Sequence, residues 1–205
     1  MSDFTTLILM RHGEVDVRYH KIFGGTIDMD LSPRGVGQAQ DLGEYLRLTK
    51  LDMLFCSPMK RARQTAAPLT MMEQPEPTII DDLREIDFGE WTGKTWMRVR
   101  DEYQINVFTW LDELMAGRVK DAENSERFFG RMRASLDQIL ADAKGKTIGV
   151  VCHGGVVRGL LSLLLDIPVS HFGKIDIEYA SLTKVEVHDH KHEATLMNFT
   201  PWRDL

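Results

Sequence analysis

Residues 5–14 read Thr5-Thr6-Leu7-Ile8-Leu9-Met10-Arg11-His12-Gly13-Glu14. An apolar run ends abruptly on a polar tetrapeptide. A short apolar run closed by a turn signal fits a strand buried on both faces. In an open α/β sheet, ligands bind beyond the carboxyl ends of the strands, which is where Arg11-His12-Gly13-Glu14 falls. The pattern recurs near the other end of the chain. Residues 147–152 form a second apolar run, and Cys152-His153-Gly154-Gly155 follows it, opening an apolar segment over 156–165 with a helical reading. Two histidines at two strand ends can converge on one pocket.

Outward from these anchors, further runs at 51–56 and 78–80 alternate with segments of helical periodicity. Alternating strands and helices predict an α/β fold with a mostly parallel central sheet covered by helices on both faces. Ser32-Pro33 and Ser57-Pro58 each place a capping hydroxyl before a proline, which predicts two helix starts. The segment 95–144 is helical in pattern and reads in part as a cap over the site. Asn124 or Ser125 would cap its last helix and Gly145 would stop it. Residues 178–187 and 193–199 read as a late strand pair turning near 188–192.

A chain of 205 residues fits a single domain able to bury a two-sided core. No run approaches the eighteen or so apolar residues of a membrane span, and residues 1–10 lack the basic start and cleavage site of a secretory signal. A cytoplasmic location without a membrane partner is therefore expected. Cys56 and Cys152 each close an apolar run, where a free buried thiol is the expectation. The net charge of −6 argues against nucleic acid as a partner, so an anionic ligand must meet a local group of arginines.

Taken together, Arg11-His12-Gly13-Glu14, residues 28–40 (DMDLSPRGVGQAQ), 57–66 (SPMKRARQTA), 83–93 (LREIDFGEWTG) and 151–158 (VCHGGVVR) resemble the histidine phosphatase superfamily, the phosphoglycerate mutase-like group. They occur in the family's order and reach across most of the chain. The resemblance implies the phosphatase branch, because mutases tend to be longer and differ around 83–93. It implies hydrolysis of a small phosphorylated metabolite through a phosphohistidine on His12. Glu85 matches the family's general acid and base, while His153, Arg11 and Arg61 match its phosphate-binding groups. The stretch 23–32 resembles α-ribazole phosphatases in particular. Relatives commonly carry asparagine where this chain has Arg18, an arginine expected to bind the phosphate from further out or a second anionic group on the substrate, with a solvent-facing side chain as the alternative.

The chemistry stands beside that resemblance. A neutral imidazole attacks phosphorus if its other ring nitrogen is held by an acceptor. Phosphoryl transfer needs in-line approach and positive groups around the equatorial oxygens, and amides at the start of the helix after Gly154 would add donors. One carboxyl group can protonate the leaving alkoxide and later activate water. No metal-ligand spacing occurs in these motifs, so neither metal nor other cofactor is expected.

Other readings remain. A phosphoglycerate-type mutase would need a phosphorylated cofactor to prime His12, and a noncatalytic protein would only bind the phosphate ester. Cys152-x-x-Gly155-x-x-Arg158 fits a thiolate phosphate loop, a reading that leaves Arg11-His12 unexplained. Glu14 is expected to be solvated or paired with arginine, and Arg158 to brace its helix. His188, His190 and His192 fit an exposed hairpin, and Trp96, Phe108, Trp110, Phe128 and Phe129 fit cap packing. Gly93-Lys94-Thr95 and Gly145-Lys146-Thr147 fail as P-loop ends, since Phe88 and Leu140 stand where the motif needs glycine. The exposed side of the late strands leaves a homodimer open.

Overall fold

The computed structural model describes residues 4–105 and 110–205. Its centre is a six-stranded sheet of order β3-β2-β4-β1-β5-β6. The strands are β1 (Thr5–Arg11), β2 (Met53–Cys56), β3 (Thr78–Ile79), β4 (Thr147–Cys152), β5 (Leu182–Val187) and β6 (His192–Phe199). The run from β3 to β1 is parallel. The late pair is antiparallel, β5 to β1 and β6 to β5, so the sheet is mixed with a parallel majority.

The period-two alternation of β1 divides the core. Leu7 and Leu9 face a cluster containing Phe128, Met132, Leu160 and Leu164, from helices α5 (Ser125–Leu140) and α6 (Gly154–Leu165). Ile8 and Met10 face Leu42, Leu46, Ala62 and Leu69, from α1 (Pro33–Leu46) and α2 (Lys60–Met71). Helices therefore cover both faces, as a strand apolar on both sides requires. Two short helices, α3 (Trp96–Tyr103) and α4 (Trp110–Met115), follow β3, and α7 (Pro201–Asp204) ends the chain.

Two of the expected caps are present. Ser32 accepts from the Gly35 amide at 2.9 Å, and Asn124 accepts from the Arg127 amide at 3.0 Å. Ser57 does not cap. The helix after it begins at Lys60, with Met59 at the cap position and no side-chain bond there, because the Ser57 hydroxyl is drawn to His153 at 2.8 Å. Gly145 is also not the stop of α5, which ends at Leu140; it takes a φ of +73° in the turn into β4.

Of the segment expected to cap the site, Trp96, Val99, Ile105, Trp110 and Leu111 line the cavity described below. Phe128 and Phe129, expected in cap packing, are instead core residues in edge contact at 5.2 Å, because α5 lies against α6. Trp96 departs from that expectation, being 52% exposed at the cavity mouth. Phe108 lies outside the described residues. Among the described residues no helix is long and apolar enough to cross a membrane.

Candidate active site

Register brings the two histidines together. β1 and β4 are adjacent and parallel with Arg11 opposite Cys152, and the His12 amide donates to the Cys152 carbonyl at 3.0 Å. His12 and His153, each one residue further on, therefore emerge side by side, with ring centroids 5.2 Å apart at 61°. The loop after β1 packs so tightly on α1 that a Cβ on Gly13 would stand 2.5 Å from the Gly35 carbonyl oxygen. Only glycine permits that approach.

His12 is 5% exposed. Its Nδ1 lies 2.7 Å from the Gly13 carbonyl, an acceptor only, so Nδ1 carries the proton and Nε2 is bare. Arg61 Nε donates to that bare nitrogen at 3.2 Å. Burial first, then the charges of Arg61 and Arg11, hold the imidazole pKa well below its ordinary value. His153 is fully buried beside it. Burial, Arg61, His12 and Arg11 lower its pKa in the same direction. Its Nε2 pairs with Ser57, while its Nδ1 is buried without a partner.

Three guanidinium groups surround this pair. Arg61, 3% exposed, donates to the Ile27 carbonyl at 2.8 Å and reaches the Gly25 carbonyl at 3.4 Å. Arg11 donates from Nη1 to the Ile177 carbonyl at 2.6 Å, lies 3.9 Å over the Tyr179 ring, and leaves Nε buried and unpartnered. Arg158 donates to the Ile175 carbonyl at 2.8 Å. The Gly154 backbone lies between the last two, since a Cβ there would stand 3.2 Å from Arg158 and 3.5 Å from Arg11. Among the described residues none of the three makes an ion pair. Burial lowers the pKa of Arg61 and of Arg158, yet a guanidinium remains charged.

Glu85 is half-buried in the same cavity wall. Its carboxylate accepts from the Ile86 amide at 3.0 Å and the Gly155 amide at 3.4 Å. The Gly155 donor, expected to serve a ligand, is thus turned to the acid. The loop carrying Glu85 is clamped from α5. Arg131 forks onto Glu123 at 2.6 and 2.8 Å and donates to the carbonyls of Asp82 and Arg84 at 2.5 and 2.7 Å. The Glu123 amide in turn donates to the Asp87 carbonyl at 2.9 Å.

Of the predicted site residues, His12, Arg11, Arg61, Glu85 and Gly154 line one cavity of about 690 Å³, with the His153 ring beside that of His12. Arg18 does not join them. It is 64% exposed, lies 3.6 Å from Asp16 and rests over Tyr19, because the short turn at Val17–Tyr19 directs Tyr19, and not its neighbour, into the wall. Glu14 is paired as expected, with Arg34 at 3.4 Å, Ser32 at 3.1 Å and His20 at 3.6 Å.

Arg158 does brace a backbone carbonyl, but it also lines the cavity. Ser57, Tyr179 and Arg131 were missed: Ser57 was read as a cap, and no pattern in the sequence marks the other two. The thiolate reading fails. Cys56 and Cys152 are free and buried; burial pushes the Cys56 thiol up to about 12 and raises Cys152 as well. Residues 188–191 form the turn between β5 and β6, with His192 the first residue of β6, and among the described residues no cluster could hold a metal ion.

The family model for the histidine phosphatase superfamily (branch 1) matches residues 7–200. The chain belongs to this superfamily. Phosphoserine phosphatase 1 of Hydrogenobacter thermophilus is 27% identical over 95% of this chain and 92% of its own. The adenosylcobalamin/α-ribazole phosphatase of Salmonella typhimurium is 24% identical over 88% and 90%. The native structure of a mycobacterial glucosyl-3-phosphoglycerate phosphatase superposes with a TM-score of 0.85 at 23% identity, covering 95% of this chain and 99% of that one. The solved structure shares the α/β architecture of this chain, and the names of the three proteins point to different phosphate esters, so the fold by itself does not name a substrate.

Proposed function

We propose that the chain is a metal-independent phosphomonoesterase acting on a small phosphorylated metabolite through a phosphohistidine on His12. The observation that carries this reading is a set of three guanidinium groups outside any ion pair among the described residues, Arg61 buried and Arg11 and Arg158 half-buried, gathered around a neutral imidazole with Nε2 bare. Uncompensated buried charge is costly, and a dianionic phosphoryl group would supply the missing countercharge. The bound phosphoryl oxygens take over the Arg61 contact, which frees the Nε2 lone pair.

In the first step His12 Nε2 bonds to phosphorus and the phosphorus–oxygen bond to the leaving alkoxide breaks in line. Glu85 delivers the proton that makes the leaving group an alcohol. Arg11, Arg61 and Arg158 stabilise the equatorial oxygens. Ser57, donating to His153 Nε2, leaves the proton on Nδ1, where it serves a phosphoryl oxygen. In the second step the Glu85 carboxylate takes a proton from water, whose oxygen attacks phosphorus. The phosphorus–nitrogen bond breaks, returning inorganic phosphate and neutral His12.

The test is release of phosphate from p-nitrophenyl phosphate in excess chelator, with alkaline quenching to trap acid-labile phosphohistidine. Turnover in chelator and labelled His12 are expected, with both absent in His12→Ala. Turnover surviving His12→Ala overturns the assignment, and turnover lost in chelator overturns metal independence.

A further inference from the structure

The cavity exceeds what a phosphoryl group needs. Its volume of about 690 Å³ falls within the roughly 300–1,000 Å³ of pockets that enclose drug-sized ligands. Beyond the arginines, His12 and Glu85, the wall is mainly apolar, and its focus is a trio of rings. Phe23 and Phe88 meet at 5.1 Å and 62°, Phe23 and Trp110 at 5.4 Å and 71°, and Phe88 and Trp110 at 5.8 Å and 63°. Phe23 and Phe88 are only 4% and 8% exposed, and both border the cavity. The remaining charged wall residues, Arg100, Asp112 and Asp176, are exposed to water.

We infer that the leaving group of the preferred ester carries a flat aromatic body seated against Phe23, Phe88 and Trp110, with its polar edge toward the exposed charges. The inference rests on the phosphatase reading for its chemistry and on the cavity wall for its specificity. A hydroxyl-rich or zwitterionic leaving group gives up hydration to rings that carry a single polar hydrogen, the Trp110 indole N–H, and otherwise return no hydrogen bonds. An aromatic one loses little hydration, buries apolar area and extends the edge-to-face packing already present. The site is continuous with the phosphoryl pocket, so one ester spans both.

Binding and turnover test the two readings separately. Calorimetry would compare 2-(1-naphthyl)ethylphosphonate with ethylphosphonate and the phosphonate isostere of phosphoserine. Phosphate release would be followed from 2-(1-naphthyl)ethyl phosphate, ethyl phosphate and phosphoserine, all esters of primary alcohols. The naphthyl compound is expected to lead by at least about tenfold in both affinity and kcat/KM, and Trp110→Ala to bring that ratio toward one. Equal or weaker binding of the naphthyl phosphonate overturns the inference. Turnover of all three esters without naphthyl preference also overturns it while leaving the phosphatase reading intact. Naphthyl-selective binding with no phosphate released from any ester overturns the phosphatase reading and leaves the subsite standing.

Discussion

His12 and His153 share a strand-end position and differ in what holds them. The nucleophile candidate is oriented by a carbonyl one residue away, a local contact that survives most changes elsewhere. His153 depends on the Ser57 hydroxyl at 2.8 Å, delivered by a different strand. Ser57→Ala would leave a buried ring nitrogen unpaired, costing about 1–3 kcal/mol of stability, and would release the tautomer. Phosphate release at saturating substrate is expected to fall by up to about 10²-fold, the worth of one preorganised donor to a developing anion. Ser57→Thr, which keeps the hydroxyl, should recover most of it. Equal activity in Ser57→Ala would remove the serine from the mechanism.

At the scale of elements, the site is assembled from pieces that do not touch along the chain. α6 supplies the Gly155 amide to Glu85, whereas the acid's own loop is held by α5. Arg131, with its side chain 15% exposed, pairs with Glu123 at 8%, so truncating the arginine strands a buried carboxylate. The two carbonyls that Arg131 holds precede Glu85 by three and one residues. On the proposed mechanism Arg131 is therefore a positioning residue for Glu85. Arg131→Ala is expected to lower kcat by about 10²-fold with KM changed far less, the usual consequence of displacing a reacting group by an ångström. Arg131→Lys should recover little, because a lysine cannot reproduce the fork. Steady-state kinetics beside a thermal melt distinguishes this from general unfolding: a fall confined to KM, or activity tracking the folded fraction alone, would sink the positioning role.

For the whole molecule, two neutral histidines buried together make stability depend on pH. Both pKa values are depressed in the fold, while the unfolded chain takes up protons near the ordinary value of about 6.5. Their stabilising contribution is present above that pH and declines below it, because the unfolded state then binds protons that the folded state excludes. The slope is about 1.4 kcal/mol per pH unit for each histidine. Urea unfolding at pH 7.5 and 5.5 should differ by roughly 2–3 kcal/mol, and His12→Gln should lose about half of that difference. An unchanged midpoint would mean that the histidines protonate without unfolding.

Strand-end histidines, local arginines and alternating strands and helices were legible in the sequence because each is a short pattern with a direct physical meaning. β1 and β4 announce themselves as apolar runs, and a parallel sheet sends their ends to one side. The Ser32 cap was readable for the same reason, since its acceptor and donor are three residues apart. Ser57 carries an identical serine-proline signal and does something else, because a buried imidazole on another strand competes for its hydroxyl. Arg18 looked like a ligand by position, and a short helical turn left it in water. Arg158 looked like a brace, and close approach to Gly154 and Arg11 also set it in the cavity wall. Sequence by itself determined the elements and the chemistry at their ends, which depend on neighbours along the chain. Tertiary structure alone decided the partners of Ser57, Arg131 and Tyr179, the fate of Arg18 and the aromatic wall, because those contacts join residues dozens of positions apart or turn on which way a loop faces.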